Sequence, residues 1–392
     1  MSNSEFLSYG KQWIDESDIQ AVLEVLRSDF IVQGPKIAEF ENKLCEVTGA
    51  KHCVVVSNGT AALQMSMAAL DMAPGSEGIT TPITFVATSN AMIYAGLEPV
   101  FVDVERDTHN INPNLIREKI NERTRLIVPV HYAGQPADME AIQNIAKEQD
   151  LYVIEDAAHA IGSRYADGTP VGNCKYSDLT IFSFHPVKTI TTGQGGAITT
   201  NNTELYERLV QLRNHGITNQ ADRLINKDEV GPWYYEMQYM SFNFRMTDIQ
   251  AALGISQLNK LNLFVERRRK IVERYNRAFE SADFVDIPVE RKGVYSAFHL
   301  YSPEFDFAAI GKSRKDVMLA LKQHSIGTQV LYIPVHLQPY YRKRYGYSEG
   351  DFLEAERFYS RTLSLPLYPK LTDEQVDYVI DNVYEVMTEK HK

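Results

Sequence analysis

The sequence predicts an α/β protein built around one mainly parallel sheet. Between Lys51 and about Asn201, strand-like apolar runs alternate with helical runs, as expected for a parallel sheet covered by helices. Several strand candidates are continuously apolar, which is typical of strands buried on both faces. After Asn243 the pattern changes to a long helical stretch and a second αβ region. We therefore expect a large domain over residues 1–250 and, after an interdomain helix, a smaller C-terminal domain within residues 251–392.

The first region contains seven strand candidates and four helical runs between them. The predicted strands are residues 52–57, 78–84, 99–104, 126–131, 151–155, 179–184 and 196–200. The predicted helices are residues 61–70, 86–95, 113–121 and 139–149. Together they predict a seven-stranded sheet.

The second region begins with a long helical stretch, predicted over about residues 247–280. Ser313 can cap a helix that runs to residue 324, and residues 326–332 have the composition of a strand. Thr372, with Gln375 three residues later, forms a capping-box pattern at the start of the last helix. Apolar residues then recur at helical spacing, so this helix should pack on one face.

Charge and composition exclude several classes of partner. The 392 residues include 40 basic and 51 acidic side chains, a net charge of −11, which repels nucleic acid and anionic membranes. No apolar run approaches membrane-spanning length, and the first residues lack a secretory pattern. We expect a cytoplasmic enzyme with no nucleic-acid or membrane partner.

The three cysteines and one basic run are further candidates for a metal site and a charged binding surface. Cys45, Cys53 and Cys174 are an odd number at spacings that no zinc site uses, so no metal is expected. The basic run at residues 267–270 lies in a helical stretch next to acidic residues, which favours a solvated, salt-bridged face.

Polar residues follow the predicted strands where the strands end. Ligands of open α/β sheets bind beyond the carboxyl ends of the strands. The segment 57–60 follows the first strand and precedes a helix, so its N–H groups suit a phosphate; a simple N-cap with a tight turn is the alternative. Phe85 follows the second strand, and Asp156 and His159 follow the fifth. Lys188 follows the sixth.

Asp156 and Lys188 have a chemical reason to lie at this edge. A buried acid needs a partner, and the protonated ring nitrogen of pyridoxal phosphate (PLP) is one; capping of the next turn is the alternative. Most lysines are solvated, but a partly desolvated lysine is a Schiff-base nucleophile. The glycine run at residues 193–196 lacks the spacing of a dinucleotide fingerprint, which makes a nicotinamide-dependent reductase a distant alternative.

These segments resemble the DegT/DnrJ/EryC1/StrS family of sugar aminotransferases over almost the whole chain. The matching motifs are EDAAHAIG at residues 155–162, SFHPVK at 183–188, GG at 195–196, TPITFVAT at 81–88, NFRMTDIQAA at 243–252 and LSLPL at 363–367. The resemblance implies a PLP-dependent transferase of fold type I, like aspartate aminotransferase, working as a homodimer with shared active sites.

The resemblance also implies roles for individual residues. Lys188 would hold PLP as a Schiff base and shuttle protons, and Asp156 would pair with the pyridine nitrogen. His159 would lie near the ring and its 3-hydroxyl, and Phe85 would stack on the ring. The phosphate would be held by Asn58, Gly59, Thr60 and Ser183, with Asn243 reaching in from the other subunit.

Within the family, the stretch HPVKTITTG at residues 185–193 resembles the branch that makes a UDP-4-amino-4,6-dideoxy-N-acetyl-altrosamine on the way to pseudaminic acid. The segments where that branch contacts its nucleotide sugar correspond here to Tyr9, Asp29, Phe30, Ile31, Val32, His185, Tyr332, Pro334 and His336. Tyr340 and Tyr341 either line the sugar pocket or fill core.

The implied reaction has two stages: L-glutamate gives its amino group to the cofactor, and the cofactor passes it to the C4 keto carbon of a UDP-linked 4-keto-6-deoxy-N-acetyl-hexosamine. A transaminase acting on UDP-4-keto-arabinose is the nearest alternative. A sugar dehydratase is disfavoured because those relatives carry histidine in place of Lys188. A non-catalytic PLP-binding regulator is the alternative from another class.

Overall fold

The computed structural model describes residues 6–226 and 231–388. Its strands are β1 His52–Val56, β2 Glu77–Thr80, β3 Glu98–Phe101, β4 Thr124–Val128, β5 Tyr152–Asp156, β6 Leu179–Ser183, β7 Gly196–Thr200, β8 Ile217–Thr218, β9 Glu236–Met237, β10 Val285–Asp286 and β11 Glu304–Phe305. The first seven form one sheet in the order β1-β7-β6-β5-β4-β2-β3. Strand β7 runs antiparallel to the other six, which are parallel to one another. The predicted seven-stranded, mainly parallel sheet is confirmed.

Thirteen α-helices lie within the described residues. They are α1 Glu16–Leu26, α2 Pro35–Thr48, α3 Gly59–Leu70, α4 Ala87–Tyr94, α5 Pro113–Ile116, α6 Met139–Gln149, α7 Thr203–Leu212, α8 Asp248–Leu258, α9 Leu261–Phe279, α10 Arg314–Gln323, α11 Pro339–Tyr345, α12 Leu353–Arg361 and α13 Asp373–Thr388. Within 6–226 and 231–388, no helix is both long enough and apolar enough to cross a bilayer.

Alternate residues of the main strands serve two separate apolar cores. On β1, Val55 belongs to the core on one face, whereas Val54 and Val56 belong to the core on the other. Successive side chains of a strand point to opposite faces, so a strand buried on both faces must be apolar throughout. This explains why continuous apolar runs in the sequence correctly predicted the strands of the sheet.

Most predicted strands extend past the observed ones at the carboxyl end. Residues 81–84 were predicted to continue β2, but the strand ends at Thr80. Thr81 and Thr84 are buried there without belonging to a strand. Beyond the strand, Thr81 accepts from the Ile83 N–H at 3.2 Å, and Thr84 lines the cavity described below.

The helical stretch predicted over residues 247–280 is confirmed, but it consists of two helices that meet at Asn259 and Lys260. Lys260 turns toward α1 and pairs with the buried carboxylate of Asp18 at 2.6 Å. Helical periodicity continues across the break, so the sequence pattern did not reveal it. The break lets α8 pack on α1 and α2 while α9 continues to the second core.

The strand predicted over residues 326–332 is also wrong. This segment makes only isolated bridges, from Ile326 to Leu7 and from Gln329 to Ser364. Its apolar composition is explained by Ile326, which is fully buried in the C-terminal core. Tyr332, at its end, faces the cavity instead of a neighbouring strand.

The basic run at residues 267–270 is solvated only in part, because Arg268 is fully buried. Its guanidinium donates to the carbonyl oxygens of His299 at 3.1 Å and Leu367 at 2.9 Å. Burial lowers the pKa of Arg268 to about 10. Arg269 forms the predicted kind of salt bridge, with Glu290 at 2.6 Å.

The C-terminal core combines the later part of α9 with α10 and α13. The predicted helix cap at Ser313 and the predicted capping box at Thr372 are both confirmed. Ser313 accepts from the Asp316 N–H at 3.2 Å, and Thr372 accepts from the Gln375 N–H at 3.2 Å. The division of the chain at residue 250 remains a prediction; α8 and the first turns of α9 pack against the larger core.

Candidate active site

A cavity of about 700 Å³ lies at the carboxyl edge of the main sheet. Eight of the predicted cofactor residues line it: Asn58, Gly59, Thr60, Phe85, Asp156, His159, Ser183 and Lys188. Three of the predicted substrate residues line it as well: Tyr9, His185 and Tyr332. Residues up to 323 positions apart in the chain, such as Tyr9 and Tyr332, thus meet in one place.

The start of α3 forms one wall of the cavity. Asn58 caps the helix, its side-chain oxygen accepting from the Ala61 N–H at 2.8 Å. The N-cap interpretation is therefore correct, and it leaves the first-turn N–H groups of Gly59 and Thr60 for a ligand. A Cβ atom on Gly59 would lie 2.9 Å from Cβ of Ser183. Glycine thus allows the Ser183 hydroxyl to lie beside the helix N-terminus, an arrangement that fits a phosphate.

Asp156 ends β5 and is 5% exposed. One carboxylate oxygen accepts from the Thr88 hydroxyl at 2.7 Å, and the other from the Ala158 N–H at 3.2 Å. Burial raises the pKa of Asp156, while Thr88, Ala158 and Lys188 act in the opposite direction. Among the described residues no basic side chain hydrogen-bonds this acid, so a protonated ring nitrogen would supply the missing partner.

Lys188 follows β6 and is partly exposed toward the cavity. Burial lowers the pKa of Lys188 to about 8, and the charge of Asp156 opposes this shift. Within the part of the chain that the structure describes, its Nζ atom has no hydrogen-bond partner. An amine that is partly neutral and unengaged is suited to attack an aldehyde.

Aromatic side chains complete a slot for a flat ring. Phe85 exposes 58% of its surface although it lies on the cavity wall. His159 is 5% exposed, and burial together with Lys188 lowers its pKa well below the usual value. The residues therefore fit PLP: a cradle for the phosphate, an acid for the ring nitrogen, a lysine for the aldehyde and rings for its faces.

Sequence reasoning missed three residues of this site. Thr84 and Thr88 line the cavity, and their hydroxyls lie 2.8 Å apart, extending the network of Asp156. His299 also lines it, with its ring 4.4 Å from that of His159. The two threonines lie within the TPITFVAT motif and could have been singled out. His299 lies in an irregular segment, and nothing in its local sequence points to the cavity.

Five predicted residues lie elsewhere on the surface of this chain. Phe30, Ile31 and Val32 are 42–57% exposed and lie outside the cavity, as does Asp29. Asn243 is exposed too, and its side-chain oxygen accepts from the Arg245 N–H at 3.2 Å. Within one subunit they cannot contact a ligand in this cavity.

Two other predicted substrate residues are buried away from the cavity. His336 is fully buried, with Nε2 3.0 Å from a Glu356 carboxylate oxygen. Pro334, two residues earlier in the chain, is buried as well. The chain turns after Tyr332 into an aromatic cluster that includes Phe352. This turn removes His336 and Pro334 from reach of the ligand.

Tyr340 and Tyr341 do not line the cavity. Tyr341 is 2% exposed and fills core, with its hydroxyl 2.7 Å from that of Ser89. Tyr340 is 53% exposed on the surface of α11. Of the two alternatives, core filling holds for Tyr341, whereas Tyr340 neither lines this cavity nor fills core.

The sheet and the residues at its edge define a PLP-dependent transferase of fold type I. The family model of DegT/DnrJ/EryC1/StrS aminotransferases matches residues 12–384, and the chain belongs to this family. Family members use PLP.

Curated and solved relatives agree with this assignment. The spore coat polysaccharide biosynthesis protein SpsC of Bacillus subtilis is 40% identical over 98% of this chain and 98% of its own length. PseC of Helicobacter pylori, an aminotransferase involved in pseudaminic acid biosynthesis, superposes with a TM-score of 0.90 at 32% identity, covering 98% of this chain and 99% of that one. The sugar aminotransferase Spr1654 of Streptococcus pneumoniae, in its PLP form, gives a TM-score of 0.88 at 31% identity, with 98% of each chain covered.

Proposed function

We propose that this enzyme transfers the amino group of L-glutamate to the C4 keto carbon of a UDP-linked 4-keto-6-deoxy-N-acetyl-hexosamine. The observation that carries the proposal is the meeting of Lys188, Asp156 and the α3 N-terminus in one cavity. The similarity to PseC, which works in pseudaminic acid biosynthesis, supports this class of sugar. The similarity to SpsC supports a role in polysaccharide biosynthesis more generally.

Five residues of the cavity would each have a defined task in holding the cofactor. When bound, PLP supplies an electron sink. Asp156 would keep its ring nitrogen protonated, and Gly59, Thr60 and Ser183 would hold its phosphate. Lys188 would anchor it covalently.

Proton transfer would also fall to Lys188. Its Nζ atom would carry the proton that leaves the donor's Cα and the proton that arrives at C4 of the sugar. A positioned group of this kind contributes roughly 10²–10⁴-fold to the rate. A pKa of about 8 suits the task, because both protonation states are populated near neutral pH.

Substrate contacts are proposed for the remaining cavity residues and for a second subunit. Tyr9, His185 and Tyr332 line the cavity and would contact the sugar. Asn243 and the segment 29–32 lie outside their own chain's cavity, so we propose a homodimer in which they reach the partner's site.

The test is the absorbance spectrum of the PLP-loaded protein, before and after L-glutamate and then after a UDP-4-keto-6-deoxy-N-acetyl sugar. We expect glutamate to bleach the absorbance band of the bound cofactor and the sugar to restore it. Lys188→Ala should abolish both changes. Lys175→Ala is the matched control, since Lys175 is an exposed lysine paired with Asp167 outside the cavity.

The outcomes separate the alternatives. Restoration by UDP-4-keto-arabinose and not by the N-acetyl sugar would replace the proposed substrate. No response to glutamate would refute the aminotransferase proposal and favour a PLP-binding regulator.

A further inference from the structure

The hydroxyl of Tyr332 is a polar group on the cavity wall with one partner. Its oxygen lies 3.0 Å from Nε2 of His159. Among the described residues it has no other hydrogen-bond partner. What the hydroxyl can do for a ligand therefore depends on which of the two groups carries the shared proton.

The second ring nitrogen of His159 decides this. Nδ1 accepts a hydrogen bond from the N–H of Ala133 at 3.3 Å, and a nitrogen that accepts carries no proton. The lowered pKa of His159 keeps the ring neutral at neutral pH. A neutral imidazole with a bare Nδ1 has its proton on Nε2, so His159 donates to Tyr332.

The Tyr332 oxygen consequently accepts, and its own proton is left to point elsewhere. Burial raises the pKa of Tyr332, so the hydroxyl stays protonated. Since Tyr332 lines the cavity, its O–H is available there as a donor. This O–H group can bind a ligand atom that accepts a hydrogen bond, but it cannot bind one that only donates.

Other contacts hold both members of the pair in place. The Tyr132 hydroxyl donates to the carbonyl oxygen of Leu331 at 2.5 Å, which fixes the backbone next to Tyr332. The N–H of His299 donates to the Ala133 carbonyl at 2.8 Å, and the His299 ring packs on His159. A donor held in this way needs little reorganisation when the ligand binds.

We propose that Tyr332 donates a hydrogen bond to the carbonyl oxygen of the keto substrate, and that His159 is a positioning residue that sets the direction of this O–H. The proposal rests on the proposed function, because it requires a keto substrate in this cavity. A carbonyl oxygen only accepts, whereas the ammonium group of the amino product only donates. The fixed donor therefore favours substrate over product.

The first test needs no substrate. Nitrogen-15 NMR of the PLP-loaded enzyme, labelled at histidine, reports which ring nitrogen carries the proton. We expect His159 to be neutral with its proton on Nε2, and the Nε2 signal to shift in Tyr332→Phe. A proton on Nδ1, or on both nitrogens at neutral pH, overturns the proposal whatever the substrate is.

The second test measures binding by calorimetry in the two combinations that cannot react: the keto sugar with the PLP-loaded enzyme, and the 4-amino product with the enzyme loaded with pyridoxamine phosphate. Tyr332→Phe should weaken binding of the UDP-4-keto-6-deoxy-N-acetyl sugar about 10-fold, as for loss of one hydrogen bond, and leave binding of the 4-amino product nearly unchanged. Tyr341→Phe is the control, since it removes a buried hydroxyl outside the cavity. Equal weakening of both ligands by Tyr332→Phe overturns the proposal.

The role of His159 is tested with two substitutions at that position. His159→Gln retains a side-chain N–H at similar reach and should bind the keto sugar nearly as wild type, whereas His159→Leu should weaken it about as much as Tyr332→Phe. Combining His159→Leu with Tyr332→Phe should add little. If the losses of affinity in the two single variants add up in the double variant, His159 does not act through Tyr332. If the wild-type enzyme binds no keto sugar, the proposed function fails, and with it the proposal that Tyr332 donates to the substrate carbonyl. The NMR result then still tests whether His159 donates its proton to Tyr332.

Discussion

Single residues acquire their chemistry from burial in this protein. Lys188 and Asp156 belong to residue types that are usually charged and solvated. The pKa of the lysine falls and that of the acid rises, and in both cases burial is the larger cause. Each also stabilises the charge of the other, which limits both shifts. Two groups with perturbed pKa values in one cavity are typical of a catalytic site.

Covalent attachment of PLP should reveal the lowered pKa of Lys188. Only the neutral amine attacks an aldehyde, and with a pKa of about 8 instead of 10.5 its fraction rises through pH 8. We expect the rate of PLP attachment to the apoprotein to increase about 10-fold per pH unit below pH 8 and to level off above it.

The Asp156→Asn variant provides the comparison for this pH profile. Because the charge of Asp156 raises the pKa of Lys188, its removal should move the midpoint of the profile to lower pH. The measurement is stopped-flow absorbance of the bound cofactor between pH 6 and about 10. A wild-type midpoint near that of a solvated lysine would contradict the structure.

At the scale of elements, α1 is tied to α8 and to the start of α9 by one buried carboxylate. Asp18 on α1 is fully buried. It accepts from Ser256 at 2.7 Å and Gln257 at 2.8 Å and pairs with Lys260 at 2.6 Å. This cluster explains both the break between α8 and α9 and the position of α1, neither of which the sequence predicted.

Loss of this carboxylate should be costly. Asp18→Ala removes the acceptor that Lys260, Ser256 and Gln257 share, while Lys260 keeps its pair with Asp15. We expect the free energy of unfolding to fall by about 2 kcal/mol. Glu24→Ala, at an exposed position of the same helix, should change it by less than about 0.5 kcal/mol. Urea unfolding at fixed protein and PLP concentrations measures both. Equal stability of the two variants would show that the cluster does not anchor α1.

At the scale of the whole molecule, exposed apolar side chains are concentrated in one region of the described chain. Six large apolar side chains between β8 and Asn243 are 59–80% exposed: Ile225, Trp233, Tyr235, Met237, Met240 and Phe242. Patches of this kind mark interaction surfaces. Their position next to Asn243 agrees with the proposal that a second copy of the chain covers them and receives this residue.

Mixed dimers test whether Asn243 acts across the interface. Lys188→Ala and Asn243→Ala should each be inactive or nearly so alone. If Asn243 serves the partner's site, a mixed dimer has one site with both substitutions and one site with neither, and activity returns. If Asn243 serves its own subunit, every site carries one substitution, and no activity returns. Co-expression with two affinity tags provides the mixed dimer, and sizing in solution checks that it is a dimer.

The sequence by itself determined the strands of the sheet, the helices between β1 and β5, and eight of the residues that line the cavity. Strands buried on both faces must be apolar throughout, and PLP chemistry needs a lysine, an acid and a phosphate cradle at their ends. These requirements are local, so short motifs, such as those that contain Asp156 and Lys188, indicate them in the sequence.

Only the tertiary structure decided which side chains meet. His336 was expected at the substrate and lies in an aromatic core, whereas His299 was overlooked and faces the cavity. Arg268 was expected in solvent and is buried between carbonyl groups. In each case the decisive contacts come from residues of other elements, 16 to 140 positions away along the chain. Local periodicity carries no information about such contacts, because they arise only when distant elements pack together.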